Sequence, residues 1–379
     1  MAEPFKNLLN AALVQRAAAH LQRADPRFDA GRFTALATDG LDTLEMKARA
    51  LRICDALEAT LPPRFDAAAA LIEAALAPPI EGEQMAGLAL AELGLAGWIL
   101  WPAGEFVARR GLDSPERALA ALHAITQRFT AEFAIRPFIV AHPALAFATL
   151  QRWASDPSHH VRRLVSEGSR PRLPWGLQLK ALVADPSPTL PLLAALQDDP
   201  SEYVRRSVAN HLNDIAKDHP ALVADWLDTH LPGAPPGRQA LLRHASRTLV
   251  KRGDARVLQA WGIGKPLRGS ATLALSSERV RVGDSLGLAV CLRSTAAAAQ
   301  RLAIDYAVHH VKADGSTSPK VFKGWVLELP PRGSLELAKT HSMRPVTTRR
   351  YHPGRHTVAL QVNGRVEATT DFILELPAP

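Results

Sequence analysis

A short pattern of residues recurs along this chain at an interval of 43 residues. Asp-Pro-Ser at 156–158, followed by Val-Arg-Arg at 161–163, returns as Asp-Pro-Ser at 199–201 followed by Val-Arg-Arg at 204–206. A weaker copy, Asp-Ser-Pro-Glu, stands at 113–116. One supersecondary unit of this size cannot bury its own apolar face, so such units stack on their neighbours. The interval therefore constrains this part of the chain to a stack of similar units.

The units of the stack are predicted to be helical hairpins. Residues 1 to 265 are rich in Ala and Leu, and their apolar residues recur at the spacing of an α-helix, with proline interrupting the pattern. A period in the forties, with Asp-Pro before a helix, resembles the HEAT repeat. We therefore expect a HEAT-like α-solenoid over residues 1–267, with one continuous core and a concave surface suited to extended partners.

The pattern changes after residue 264. Residues 271–293 alternate apolar and polar side chains, as a half-buried β-strand does. Turn signals follow at 282–284, 313–315, 330–333, 352–354 and 363–364. Some seven short strands without a Cys-Trp-Cys pattern are typical of an immunoglobulin-like β-sandwich that lacks the antibody signature. We therefore predict an α-helical domain followed by a separate β domain at 268–379.

Composition limits the class of protein. Hydrophobic residues make up 47% of the chain, enough to fill the cores of two or three domains. No window of 18 uncharged apolar residues exists, and the N-terminus lacks the basic and apolar regions of a secretory signal. We expect a cytoplasmic protein without a membrane partner.

Metal and cofactor sites are not predicted. Cys54 and Cys291 are far apart in the sequence, which supports neither a disulfide framework nor a zinc site. The histidines show no metal-binding spacing, and either phosphate contact or simple exposure suits His159 and His160 at a predicted helix start. No phosphate-binding loop, nucleophile elbow or dinucleotide fingerprint occurs in a credible context. We therefore expect neither a metal nor a cofactor.

The distribution of charge favours a polyanionic partner. The formal net charge is +8, yet residues 1–100 hold 13 acidic against nine basic side chains, so the basic excess lies in the last three quarters of the chain. Phosphate neutralisation supplies most non-specific affinity for DNA or RNA. Solubility and an Arg-rich composition explain the same excess equally well, so charge alone does not decide between the two interpretations.

Three successive repeats carry an arginine followed four residues later by a carboxylate or an amide. The pairs are Arg128 with Glu132, Arg163 with Glu167, and Arg206 with Asn210, and the last helix continues one turn to Asp214. Such pairs are common helix decoration that contributes about 0.2–0.5 kcal/mol each. Their recurrence across three repeats instead favours a concave wall on which Glu132, Glu167 and Asp214 lie within a cationic lining.

The segment 159–176, His-His-Val-Arg-Arg-Leu-Val-Ser-Glu-Gly-Ser-Arg-Pro-Arg-Leu-Pro-Trp-Gly, strengthens this interpretation. A helix that reaches Ser169 would hold Arg163, Glu167 and Arg170 on one stripe. Prolines precede Trp175, which is therefore predicted on a loop or at the next helix start. Core packing is the commonest fate of a tryptophan and suits the others in this region, Trp98, Trp101, Trp153 and Trp226.

Three sequences carry a resemblance to a known family. These are Lys-Asn-Leu-Leu-Asn at 6–10, the run Arg-Arg-Leu-Val-Ser-Glu-Gly-Ser-Arg-Pro-Arg-Leu-Pro-Trp-Gly at 162–176, and the run from Tyr203 to Pro220. Together with the repeats they resemble the AlkC-type DNA alkylation repair glycosylases over roughly residues 1–265, and the trailing domain is similar to that of the longer AlkC subgroup. The resemblance implies a monomer that acts on double-stranded DNA containing alkylated bases. Its implied reaction is hydrolysis of the N-glycosidic bond of 3-methyladenine, and also 3-methylcytosine, without base flipping.

The resemblance also implies roles for individual residues. Glu167 would be the main catalytic carboxylate, with Glu132 and Asp214 beside it near the deoxyribose and Trp175 against the sugar. The DNA backbone would be held by Arg163 and Arg170, and with them by Asn210 and Arg206. These residue types suit the chemistry, because an N3-methylated purine is a cationic leaving group and the barrier lies in the sugar, whose growing positive charge a carboxylate stabilises.

Basic residues of the second domain are predicted to add DNA affinity. Lys320, Lys323, Arg349 and Arg350 lie in or near its predicted loops. Scattered basic residues in loops are usually only solvated. The hypothesis is motivated by the excess of basic over acidic side chains, 15 against nine, in residues 268–379. Two alternatives to the glycosylase stay open, a non-enzymatic HEAT-repeat scaffold and a DNA-binding structural protein. The scaffold explains the repeat but not carboxylates set among arginines.

Overall fold

The structure is a computed structural model that describes residues 4–83, 92–263, 265–346 and 349–376. The described residues up to 263 form helices and their connecting loops, and those from Gly269 onwards form strands and their connecting turns. This order confirms the predicted fold class. None of the helices in the described ranges has the length and apolar character needed to span a bilayer.

Sixteen α-helices are described. They are α1 (Ala11–Ala24), α2 (Ala30–Thr38), α3 (Met46–Thr60), α4 (Phe65–Ala75), α5 (Leu100–Arg110), α6 (Pro115–Thr126), α7 (Arg136–Ala141), α8 (Pro143–Trp153), α9 (His159–Gly168), α10 (Lys180–Ala184), α11 (Leu190–Leu196), α12 (Glu202–Asp218), α13 (Pro220–His230), α14 (Pro236–Ala245), α15 (Arg247–Arg252) and α16 (Ala255–Ala260). Short 3-10 helices lie at Phe5–Leu8, Leu41–Thr43, Gly97–Ile99 and Ser187–Thr189.

Two compact units are formed. One contains the described residues up to Asp218 together with Ala234–Ala245, and the other contains His219–Gly233 and the described residues from Ser246 onwards. The second unit thus includes three helices besides the strands. A domain boundary between 267 and 268 falls in the stretch between the end of α16 and the first strand, and stays a prediction.

The sequence repeat is also a structural repeat. The Asp156 carboxylate accepts a hydrogen bond from the backbone N–H of Ser158, and Asp199 accepts the equivalent bond from Ser201. The first arginine of each Val-Arg-Arg then donates to the carbonyl oxygens of the same turn, Arg162 to Asp156 and Pro157, and Arg205 to Asp199 and Pro200. Each Asp-Pro-Ser turn therefore opens its helix in the same way. The helices that follow, α9 and α12, pack against each other, and α14 packs on α12.

Eight strands form a β-sandwich in the second unit. They are β1 (Gly269–Leu275), β2 (Arg279–Arg281), β3 (Ser285–Ser294), β4 (Gln300–Val311), β5 (Thr317–Leu329), β6 (Ser334–Ser342), β7 (Gly354–Val362) and β8 (Arg365–Glu375). One sheet has the order β1-β3-β6 and the other β2-β8-β7-β4-β5, and only β2 and β8 pair in parallel among the described strands. Apolar side chains of both sheets, such as Leu288, Val308 and Phe372, meet between them. The alternating pattern of β3 marks which of its side chains face that core.

Candidate functional site

Carboxylates and arginines alternate in one cluster of the first unit. Arg163 donates from Nη1 to Glu132, and its Nη2 lies 3.6 Å from Oε1 of Glu167. Arg170 donates from Nη1 to the same Oε1 of Glu167 at 2.6 Å and from Nε to Asp214 at 2.8 Å. The three carboxylates that the sequence analysis singled out are therefore brought together, each bound to an arginine that binds a second one. We call these five residues the charged cluster.

Glu167 is the centre of the charged cluster. It lies on the last turn of α9, is 5% exposed, and accepts a second short hydrogen bond at Oε2 from the Ser207 hydroxyl of α12 at 2.6 Å. Burial alone would raise the pKa of the Glu167 carboxyl. The positive charges of Arg163 and Arg170, with the hydrogen bonds from Ser207 and Arg170, hold that pKa below its usual value. Glu167 is therefore ionised at neutral pH.

Glu132 reaches the charged cluster by a different route from the predicted one. The predicted helical pairing of Arg128 with Glu132 is wrong, because α6 ends at Thr126 and Glu132 lies in the turn before α7. Arg128 instead donates to the carbonyl oxygens of Ala77 and Ala124. Glu132 accepts from the Thr130 hydroxyl at 2.6 Å and from Arg163 of the next repeat. The contact that holds it is made between repeats, not within one helix.

Asp214 is the most deeply buried of the three carboxylates. It is 1% exposed on α12, and both of its oxygens are engaged, Oδ2 by Arg170 and Oδ1 by Lys217 at 2.7 Å. Asp214 therefore fixes the Arg170 guanidinium, which in turn contacts Glu167. Arg170 itself follows the end of α9 at Gly168, so the helix stops one residue earlier than predicted while the contact with Glu167 is still made.

Trp175 lies on the loop between α9 and α10 in an unusual backbone conformation. Its φ is 65°, and its side chain is 66% exposed. A bulky residue in the left-handed region is uncommon and costs free energy. The loop is closed by hydrogen bonds from the N–H of Gly176 to the Leu173 carbonyl and from the N–H of Leu179 to the Pro171 carbonyl, each 3.2 Å. Trp175 is thus held outside the core, unlike most tryptophans.

A cavity of about 360 Å³ brings these groups together. Glu132, Glu167, Arg170 and Trp175 line it with apolar and aromatic residues, which are Phe5, Trp98, Trp101, Phe129, Phe133, Leu173 and Pro174, and with Thr130. The aromatic rings contact one another: the centroid of Trp98 lies 4.9 Å from those of both Phe5 and Phe129, and Trp101 lies 5.1 Å from Phe133. Asp214 is not among the described residues that line this space. We call it the aromatic cavity.

The aromatic cavity contains residues that the sequence analysis missed. Phe5 comes from the 3-10 helix at the start of the chain and is 56% exposed. Trp98 and Trp101 were expected in the core, and Trp101 is indeed buried, but both also face the cavity. Nothing in the local pattern distinguishes these aromatic residues from core residues, because their role depends on what the neighbouring repeat places opposite them.

Three comparisons agree on the family of the chain. Residues 127–249 match the model of the family described as DNA alkylation repair enzyme, and residues 269–376 match that of the C-terminal Ig-like domain of protein YhaZ. YhaZ of Bacillus subtilis, named as uncharacterised, is 36% identical over 374 residues, which are 97% of this chain and 98% of that protein. The fold matches Pseudomonas fluorescens alkylpurine DNA glycosylase AlkC bound to DNA containing an abasic site analogue, with a TM-score of 0.89 and 34% identity over 98% of this chain and 100% of that one. The chain belongs to the AlkC family of DNA alkylation repair enzymes.

Two further residues predicted to bind DNA do not line the aromatic cavity of this AlkC-family protein. Arg206 is exposed on α12 and lines a second cavity of about 340 Å³ between α12 and α14. Asn210 hydrogen-bonds through Oδ1 with Nε2 of His244 on α14 at 2.9 Å. The contact of Arg206 and Asn210 with DNA stays a prediction.

The basic residues of the Ig-like domain are only partly where the sequence indicates. Lys320 and Lys323 are exposed but lie within strand β5, not in loops. The Lys320 ammonium lies 5.4 Å from the centre of the Phe322 ring. Arg349 and Arg350 follow β6 in an irregular segment, where Arg349 contacts Nε2 of His310. Neither lysine lies in a loop, because β5 already begins at Thr317 and runs through both positions.

The histidine pair at the start of α9 is not a surface pair. His160 is 1% exposed, and its Nε2 lies 3.1 Å from the carbonyl oxygen of Gly82. Burial, with the neighbouring His159, lowers the pKa of His160 to about 4. Both the exposed and the phosphate-binding interpretations are therefore wrong for His160, which is a neutral side chain that anchors the chain before residue 84.

Proposed function

We propose that this AlkC-family protein is a DNA glycosylase that hydrolyses the N-glycosidic bond of N3-alkylated bases in double-stranded DNA. Its substrates would be 3-methyladenine above all, and also 3-methylcytosine. The observation that carries the proposal is the ionised, doubly hydrogen-bonded carboxylate of Glu167 on the wall of an aromatic cavity. Similarity over the whole chain to an alkylpurine DNA glycosylase solved with abasic-site DNA supports it.

The residues of the cavity suit the charges that develop in this reaction. The bond between C1′ and the alkylated base breaks with its electron pair going to the base, which leaves neutral, while the sugar becomes oxocarbenium-like. Water then adds to C1′ and loses a proton. A carboxylate held next to C1′ stabilises the growing charge and can take that proton. The lowered pKa of Glu167 keeps it in the anionic form that this step requires.

The other members of the site support Glu167 in different ways. The exposed face of Trp175 is free to lie against the sugar, where its electron-rich ring stabilises positive charge. Glu132 lines the same cavity and adds a second negative charge. Asp214 acts through Arg170, because its own oxygens are engaged. Arg163 and Arg170 would turn their remaining N–H groups to the DNA backbone, as the resemblance implies.

The reaction is proposed to proceed without base flipping. The site is a cavity with an exposed tryptophan at its edge, which can approach a deoxyribose from outside a duplex. A 2-aminopurine placed opposite the lesion tests this point. Its fluorescence should stay quenched on binding, whereas a strong increase would indicate an extruded base and a vacated stack.

Release of bases from methylated DNA tests the function itself. The purified protein is incubated with DNA treated with a methylating agent, and the released bases are separated by HPLC. We expect 3-methyladenine, with 3-methylcytosine in smaller or equal amount, and release roughly a hundredfold slower by Glu167→Gln. Binding without release by the wild type would favour a structural DNA-binding protein. Neither binding nor release would favour a scaffold.

The Ig-like domain is proposed to contribute to DNA binding. Lys320 and Lys323 are exposed on β5, where their spacing of three residues directs them to opposite faces of the sheet, and Arg350 is exposed in the segment after β6. Such charges neutralise phosphates without reading sequence. The protein would act as a monomer, because the proposed reaction needs only residues of one chain.

A further inference from the structure

A buried arginine next to the charged cluster contacts none of the reacting groups of the proposed chemistry. Arg136 is the first residue of α7 and is 0% exposed, the largest fully buried side chain among the described residues. Burying a guanidinium is costly, and its N–H groups must be satisfied. Its position therefore calls for a specific explanation.

Arg136 joins two segments that carry the proposed catalytic groups. Its Nε donates to the carbonyl oxygen of Leu177, and its Nη1 donates to that of Gly168 at 2.8 Å. Gly168 is the last residue of α9, directly after Glu167, and Leu177 follows the loop residues Trp175 and Gly176. One side chain thus sets the distance between the helix end that presents Glu167 and the loop that presents Trp175.

Two glycines allow this close approach. A Cβ at Gly168 would lie 2.6 Å from Cγ2 of Ile135, the residue before Arg136. A Cβ at Gly176 would lie 3.4 Å from Cδ and Nε of Arg136 and 3.1 Å from the Leu173 side chain. Any larger residue at 168 would push the end of α9 away from α7. Arg136 can therefore reach both segments only because residues 168 and 176 are glycines.

Arg136 also contributes charge. Within the part of the chain that the structure describes, no carboxylate forms an ion pair with Arg136 and its Nη2 has no hydrogen-bond partner. Arg136 interacts electrostatically with Glu132, Asp214 and Glu167 and is repelled by Arg170. Burial, followed by the charge of Arg170, lowers the pKa of Arg136 to about 10, so it is still protonated at neutral pH. A merely space-filling role would be served better by methionine or leucine.

We propose that Arg136 is a positioning residue of the excision reaction, which fixes the end of α9 against the Trp175 loop and holds positive charge behind the carboxylates. The inference rests on the proposed function. Its physical basis is that a displacement of about 1 Å between reacting groups costs roughly a hundredfold in rate. Loss of Arg136 would let Glu167 and Trp175 move relative to each other and would remove one cation from the surroundings of Glu167.

Arg49 provides a matched control. It is also a buried arginine, 3% exposed, and it donates to the backbone carbonyl oxygens of Lys6, Leu9, Asp42 and Leu44. Arg49 does not line the aromatic cavity or bind a carboxylate of the charged cluster, and its link to the cavity wall is indirect, through the Lys6 carbonyl next to Phe5. The variants Arg136→Lys, Arg136→Met, Arg49→Lys and Arg49→Met therefore separate loss of a buried arginine from loss of this particular one.

Single-turnover release of 3-methyladenine is measured for each variant between pH 5 and 9, together with its thermal midpoint. We expect all four variants to lose thermal stability. The rate constant should fall by about tenfold to a hundredfold in Arg136→Met, less in Arg136→Lys, and by at most about twofold in the Arg49 variants. Equal loss in Arg136→Met and Arg49→Met, or wild-type rates in Arg136→Met, would overturn the proposal.

The pH profile distinguishes positioning and charge from packing. Glu167 faces Arg163, Arg170, Ser207, Tyr203, His211 and, as a like charge, Glu132, with Arg136 behind them. Removing the positive charge of Arg136 raises the pKa of Glu167, so the acid limb of the profile should move to higher pH in Arg136→Met. Arg136→Lys should restore its position. An unshifted acid limb in Arg136→Met counts against the charge role.

Hydrogen exchange tests the grip of Arg136 without reference to activity. Residues 168–179 should exchange faster in Arg136→Met than in wild type, because the carbonyl oxygens of Gly168 and Leu177 lose their common donor. Exchange of the same residues in Arg49→Met should match wild type. Unchanged exchange in Arg136→Met would overturn the positioning role of Arg136, whether or not the wild type releases base. Absence of base release by the wild type would by itself overturn only the glycosylase proposal.

Discussion

Replacing Glu167 by glutamine removes one negative charge from the aromatic cavity and leaves the side-chain volume unchanged. Arg170 keeps Asp214 as a partner at 2.8 Å, and Arg163 keeps Glu132, so neither arginine is left without a carboxylate. One of the two hydrogen bonds to Glu167 is lost, because an amide nitrogen cannot accept. We expect the free energy of unfolding to fall by about 1–3 kcal/mol, less than for an isolated buried pair that is broken.

Glu167→Gln should slow catalysis strongly while the enzyme stays folded at the assay temperature. Removing one preorganised group that stabilises transition-state charge costs about 3 kcal/mol, or roughly a hundredfold in rate. The rate constant for 3-methyladenine release is measured with enzyme in excess over methylated DNA. Affinity is measured separately with DNA that contains a stable abasic-site analogue. Affinity should be kept, since a carboxylate does not attract phosphates.

Ser207→Ala is the matched control for this prediction. It removes the 2.6 Å hydrogen bond to Oε2 of Glu167 but keeps the negative charge. Because the negative charge stays in place, the rate loss should be smaller than in Glu167→Gln, at most about tenfold, which corresponds to about 1.4 kcal/mol of the activation free energy. A Glu167→Gln rate equal to that of wild type or of Ser207→Ala would refute the reasoning.

Trp175→Gly should raise the thermal midpoint slightly, because glycine adopts the left-handed backbone without strain, a gain of about 1 kcal/mol in the free energy of unfolding. The rate of excision should fall more than tenfold in the same variant. A lowered thermal midpoint would show that the Trp175 ring packs more than its exposure indicates. Burial lowers the pKa of His310 to about 3 and that of His341 to about 4, so below about pH 6.5 the unfolded chain takes up protons that the folded chain does not. As the pH falls through this range, the free energy of unfolding should decrease by up to about 1.4 kcal/mol per pH unit for each histidine. Urea unfolding at pH 5 and pH 7 measures this decrease. The double variant Lys320→Gln, Lys323→Gln should reduce the magnitude of the negative slope of log affinity against log salt concentration by about two. An unchanged slope would argue against DNA contact by β5.

The charged cluster combines two requirements that normally conflict. A carboxylate next to a sugar must be anionic, yet a cavity lined by aromatic rings disfavours charge. Arginines placed on both sides of Glu167 resolve the conflict, since they supply charge and hydrogen bonds in fixed directions. Asp214 and Glu132 hold those arginines in turn. The anion is therefore stabilised by groups that do not have to reorganise during the reaction.

The repeat illustrates how far local sequence reaches. Asp-Pro-Ser and Val-Arg-Arg recur because one turn and one helix start are built twice from contacts within six residues, such as that of Arg162 with the Asp156 carbonyl. The second arginines of the two copies, in contrast, lie in different surroundings. Arg163 joins the charged cluster, whereas Arg206 lines a different cavity. Identical sequence positions thus acquire different roles from their neighbours in space.

The order of helices and strands and the fold class could be predicted from the sequence, because periodicity, proline and turn residues act over a few residues. The recurring pattern also pointed to the three carboxylates, although the contacts that join them are made between repeats. The pairing of Glu132 with Arg163 instead of Arg128, the exposure of Trp175 and the place of Phe5 in the cavity wall were decided by the tertiary structure. Arg136 shows the reason most clearly. Its two carbonyl partners lie 32 and 41 residues further along the chain, and only the packing of successive repeats brings them within hydrogen-bond distance.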